Sequence, residues 1–132
     1  MKSINRDITI FSAMKKELSS QMNDLAHAAA ENQLNKLGFK FEVVEDNYNG
    51  DIEKAFLIVH DSTAVERDVI LNLAKLFRQE SVLIADEKRF ATLIFLENQE
   101  LLNLGVLKYV ENIDGLTNYT KTSVGYFTTE RQ

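Results

Sequence analysis

The chain has 132 residues, 45% of them hydrophobic and 27% charged, with a net charge of −5 at pH 7. That length and apolar content suit a single domain, residues 1–132, with one real core. A sequence pI near 5.0 and only the isolated basic pairs Lys15-Lys16 and Lys88-Arg89 make nucleic acid a poor partner, and the lack of cysteine excludes disulfides, thiolate chemistry and cysteine zinc sites.

Residues 7–13 (DITIFSA) alternate polar and apolar side chains and read as a first strand. Ser19 or Ser20 then caps a helix to about residue 37, with Gly38 as its left-handed stop. Met22, Leu25, Ala26, Ala29, Ala30, Leu34 and Leu37 form its expected apolar side. A second strand over 39–44 and a third over 54–60 flank a polar turn at 47–51 that contains Tyr48. Thr63-Ala64-Val65-Glu66 has the form of a capping box that opens a second helix. Its expected core face is Val65, Val69, Leu73, Leu76 and Phe77.

Strands are further expected over 81–85, 90–96, 104–110 and 123–128, with a turn-rich stretch at 112–118. The order β-α-β-β-α-β plus C-terminal strands implies an α+β two-layer sandwich, with two helices packed on a mostly antiparallel sheet. Phe56, Ile58, Val82, Ile84, Leu93 and Phe95 are too many apolar residues for one helical cover. The second sheet face must meet the C-terminal strands or another copy of the chain, and a homo-oligomer is expected.

Known chemical motifs are few. His27 and His60 have no metal-ligand spacing, and Ser12, Ser62 and Ser81 lack a nucleophile context. The acidic pairs Glu45-Asp46 and Asp86-Glu87 fit solvated turns. The best candidates are Tyr48, Glu53 and Gln79, because Glu53 and Gln79 each precede an apolar strand. If those strands are neighbours, a carboxylate and an amide converge at one rim, which suits a polar cationic small molecule. Taken alone, each residue also fits a structural role.

ITIFSA, the helix bearing Glu31-Asn32 and Leu34, DNYNGDIEKAFLIV and LAKLFRQESVLIAD…RFATLIF together are similar to the bacteriophage S-adenosylmethionine lyase family, formerly called hydrolases. The resemblance spans roughly residues 8–96. It implies a cytosolic homotrimer with an α/β sandwich and active sites at subunit interfaces. It also implies cleavage of S-adenosylmethionine to methylthioadenosine and homoserine lactone without metal or cofactor. Carried onto this chain, the functional tyrosine is Tyr48, the glutamate Glu53 and the glutamine Gln79. The adenine lies along the backbone near Phe77, and Ser81 is a further substrate contact. In a phage, such an enzyme would deplete the methyl donor of host restriction-modification systems. The alternative is a non-catalytic module that binds a nucleoside-type molecule or a protein. The opening residues MKSINRDITIF hold too short an apolar run for a signal peptide, and no segment reaches membrane-spanning length, so a cytoplasmic location with no membrane partner is expected.

Overall fold

The computed structural model of the chain describes residues 6–61 and 64–130. In chain order the elements are β1 (Arg6–Phe11), α1 (Ser20–Leu37), β2 (Lys40–Tyr48), β3 (Asp51–Asp61), α2 (Ala64–Leu76), β4 (Ser81–Ala85), β5 (Phe90–Phe95), β6 (Leu101–Val110), β7 (Asn118–Lys121) and β8 (Tyr126–Thr129). Thr63 and Ser62 lie outside the described residues, so the expected capping box does too.

Local chemistry accounts for the sharpest boundaries. The Ser19 hydroxyl accepts from the Met22 backbone N–H at 3.1 Å and starts α1. Gly38, at φ +79°, ends it by donating its N–H to the Asn35 carbonyl. Asn49 and Gly50, at φ +50° and +92°, make a tight turn between β2 and β3 whose backbone matches the twist of a hairpin. The ribbon therefore runs unbroken through Tyr48 and resumes at Asp51.

The strands close on themselves in the order β1-β3-β2-β7-β8-β6-β5-β4, with every neighbouring pair antiparallel. The expected two-layer α+β sandwich is thus corrected: the fold is mostly β, a closed eight-stranded barrel with two helices on its outside. The physical reason lies in the C-terminal third of the chain. β6, β7 and β8 extend the sheet from β5 round to β2, so the second apolar face turns inward on itself. β7, only four residues long, falls between the expected turn at 112–118 and the expected strand over 123–128. The uncovered sheet face that argued for an oligomer is the barrel interior.

Two cores result. Inside the barrel lie Ile8, Ile10, Val44, Ala55, Leu57, Ala85, Ala91 and Leu107. Outside it, Phe11, Phe56, Ile58, Val82 and Ile84 pack against Ala30 and Leu34 of α1 and Ile70, Leu73 and Ala74 of α2. The helices seat differently from the expected faces. Met22, Leu25 and Leu37 are exposed, while His27 is buried beside Ala30 and Leu34. On α2, Val65 and Leu76 point to solvent and Ile70 takes the core.

Phe56 is the hub of the outer core. It is fully buried, with Phe11 and Phe41 ring centroids at 5.6 Å and the His27 ring stacked on it at 4.4 Å. Phe56→Ala is expected to cost about 3–5 kcal/mol, measured by urea unfolding. The buried Nδ1 of His27 has no hydrogen-bond partner among the described residues. Burial, then the nearby Lys54 charge, hold this histidine below its ordinary value of 6.5, against weaker pulls from Glu31 and Asp24. The unfolded chain therefore binds the proton more readily, and stability present above about pH 6.5 falls away as the pH drops below it. Thermal melts of His27→Phe are expected to lose that part of the pH dependence.

Candidate active site

β3 and β4 both run antiparallel to β1, which lies between them. Both strands therefore begin at the barrel end where β1 finishes. Glu53 and the Gln79–Ser81 segment share one rim but are not on adjacent strands; two strand spacings, roughly 10 Å, separate them. The chain leaving β1 fills the gap. The Ser12 hydroxyl donates to the Lys54 carbonyl at 2.8 Å, and Lys15 Nζ donates to the Arg78 carbonyl at 3.1 Å. The Gln79 amide donates to the carbonyls of Met14 and Phe77 at 3.3 and 3.4 Å.

Of the residues singled out from sequence, Glu53 and Ser81 share the inward face of the barrel, each half-buried. Glu53 is in step with Ala55 and Leu57, and Ser81 with Leu83 and Ala85. Gln79 is folded onto its own connection. Tyr48 ends β2 opposite Asp51 and is 67% exposed, about 7 Å beyond Asp46 on the same strand face. The Phe77 side chain packs against the outer core, which leaves its backbone as the part beside Gln79.

Three rim residues are not among the sequence candidates: Asp46 reads there as a solvated turn acid, Ser12 as a serine without a nucleophile context, and Thr120 carries no signal. Asp46 is the register partner of Glu53 on β2, and Thr120 on β7 is the register partner of Asp46. The Thr120 hydroxyl donates to Asp46 Oδ1 at 2.6 Å. Ser12 is buried between β3 and β4. Ser81, Ser12, Glu53, Asp46 and Thr120 thus form a polar arc across five consecutive strands. The available signal was the two-residue alternation itself, since positions 44 and 46 continue one face of β2 and 53, 55 and 57 one face of β3. Glu45, by contrast, is exposed.

The arc is electrostatically tense. Burial, then the charge of Asp46, push the Glu53 carboxyl above its ordinary 4.5, and Asp51 adds to the rise. Hydrogen bonding from Ser12 holds part of it back, so one hydroxyl proton is contested between Glu53 and the Lys54 carbonyl. Asp46 is also raised, by burial, against the stabilising Thr120 hydrogen bond. His60 serves structure instead: its Nε2 is bonded to Thr9 Oγ1 at 2.6 Å in the buried sheet.

Two grooves lie nearby. One of about 380 Å³ runs between β2 and the β7–β8 turn, lined by Glu42, Glu45, Lys54 and Lys121 among others. Another of about 390 Å³ sits at the hairpin tip between Asn47, Gly50 and Tyr119. Neither is lined by Glu53, Gln79 or Ser81.

The family model of the S-adenosylmethionine lyase family matches residues 9–130, which includes every rim residue described above. No curated protein matches the chain.

A carboxylate raised by its surroundings costs the folded state stability wherever it is ionised. Glu53→Gln keeps the Ser12 contact and removes the charge. It is expected to melt above the wild type at pH 8. The advantage should shrink as the pH falls through the folded value and vanish below about 4.5, the ordinary value.

Proposed function

The chain belongs to the S-adenosylmethionine lyase family, whose members are carbon–sulfur lyases, and we propose that it splits S-adenosylmethionine into methylthioadenosine and homoserine lactone. The observation that carries this reading is a half-buried carboxylate, Glu53, on the rim of a chain matched to that family over residues 9–130.

The chemistry asks little of the protein. The substrate's own carboxylate attacks its Cγ, the C–S bond breaks, and the electron pair leaves with sulfur as a neutral thioether. The task is to hold the methionine moiety bent into attack geometry. Well-oriented intramolecular reactions gain up to about 7–11 kcal/mol in this way. Glu53 anchors the substrate ammonium. The Gln79 amide, whose two contacts are at the long end for hydrogen bonds, can exchange them for the substrate. Tyr48 orients the methionine or ribose portion, the backbone at Phe77 lies along the adenine, and Ser81 adds a contact from the inward face.

A homo-oligomer fits this reading, as a trimer with sites at subunit interfaces. Tyr48, Ile52 and Leu76 are 67%, 64% and 70% exposed around the rim. A neighbouring copy would cover these apolar groups and dry the site. The activity would act in the cytoplasm of an infected bacterium, as counter-defence against restriction-modification.

Purified protein incubated with S-adenosylmethionine is expected to yield methylthioadenosine by chromatography, with the lactone as the earliest partner product by mass. Glu53→Gln should lower kcat/KM on the order of 10–100-fold, the worth of a hydrogen bond to a charged group. Absence of product, with Glu53→Gln binding the substrate as the wild type does, would overturn both the activity and the anchor. Stoichiometric binding without turnover in calorimetry would assign a binding module instead.

A further inference from the structure

We propose that Asp46, held by Thr120 on the inward face opposite Glu53, is a positioning residue that sets the charge with which Glu53 meets a cationic ligand. This rests on the reading of Glu53 as the ammonium anchor, and it adds a residue that this reading does not need.

The geometry comes from the ladder. Asp46 and Glu53 are direct cross-strand partners, which places their Cβ atoms roughly 4.5–5.5 Å apart. Both lie on the barrel's inward face, one step from Val44 and Ala55 of the inner core. Two carboxylates this close in a half-buried setting resist ionising together, so the pair holds on to one proton above the ordinary carboxylate range. The charge of Asp46 raises Glu53, and the Thr120 hydroxyl favours the ionised form of Asp46, so the proton rests on Glu53 beside a charged partner. One oxygen of Asp46 accepts from the Thr120 hydroxyl at 2.6 Å. The second Asp46 oxygen can then accept the proton that Glu53 carries. The pair then presents one negative charge toward the rim, matched to one ammonium.

The surrounding groups do not undo this arrangement. Asp51, at the start of β3, pushes Glu53 in the same direction as Asp46 does, and is itself engaged by Lys16 at 2.9 Å on the surface. Ser12, from the end of β1, favours the charged form of Glu53. Thr120, from β7, favours the charged form of Asp46 and so helps to keep the proton on Glu53. Lys54 is on the opposite strand face, where it borders the outer groove.

The test is Asp46→Asn, whose amide oxygen can still accept from Thr120 and which removes the charge that faces Glu53. Two readouts are taken: the pH profile of kcat/KM for S-adenosylmethionine, and the carboxyl titration of Glu53 followed by carbon-detected NMR. With the neighbouring titratable group gone, both the acid limb of the profile and the Glu53 titration are expected at lower pH than in the wild type. A Glu53 titration at the same pH in both proteins overturns the proposal. If the wild type turns over no S-adenosylmethionine, the lyase reading fails, yet the NMR titration still decides whether Asp46 controls Glu53. Should Asp46→Asn not fold, Thr120→Val serves. It removes the hydroxyl that favours charged Asp46 and should shift Glu53 the same way, by less; an unmoved Glu53 titration again overturns the proposal.

Discussion

Closure of the antiparallel ladder is the constraint on which the rest of this molecule depends. Once β2 pairs with β7 and β5 with β6, the sheet has no free edge and each strand has an inside and an outside. β3 shows what this demands. Phe56 and Ile58 face the helices, while Ala55 and Leu57 face the barrel axis, and all four are buried. The narrow interior selects small side chains at Ala55, Ala85 and Ala91. The same alternation, carried to the rim, aims Asp46 and Glu53 inward whether or not their charges suit the place.

The two ends of the barrel handle that problem differently. On the outer face near the start of β1, the fully buried Asp7 is matched by Arg67 of α2 at 2.7 Å, and Thr9 is matched by His60. There the polar groups are partnered across elements and serve to seat α2. At the opposite rim, a carboxylate faces a carboxylate, with hydroxyls from Ser12 and Thr120 as the supporting groups. Stability alone does not select such a pair. Strain of this kind is a mark of sites kept for a ligand. It is tolerable because the rim is built on strands and not on loops, so the carboxylates cannot swing apart into water.

How much of this was legible in the sequence follows from the range of the interactions. Local signals spoke clearly: Ser19 and Gly38 bound α1, and residues 81–85 form the expected strand without adjustment. Closure was not legible, because it depends on β7, four residues with one buried side chain, Thr120, pairing with β2 about seventy residues earlier in sequence. The helix faces were misread for a related reason. Leu25 outranks His27 in hydrophobicity, but stacking on Phe56 places the histidine in the core. Asp46 and Tyr48 were assigned to a loop because the stretch is polar. The two positive-φ residues, Asn49 and Gly50, show that the turn needs only those positions. Glu53 was found through its strand, whereas its partner was concealed by the polarity of its surroundings.

The proposed reaction explains why a single negative charge at this rim is preferable to two. The substrate carries a sulfonium and an ammonium, and only the sulfonium charge disappears as the C–S bond breaks. A second carboxylate near the sulfonium would stabilise the ground state more than the transition state and slow the step. It would also repel the substrate carboxylate that must act as nucleophile. The ammonium charge, by contrast, survives into the lactone, so a carboxylate bound to it neither helps nor hinders the bond change and serves position alone. Because the attacking carboxylate and the sulfonium neutralise one another, removing water from them favours the reaction. A carboxyl pair that shares one proton would meet those requirements together: one negative charge to fix the ammonium, and no second charge to hold the sulfonium or repel the nucleophile.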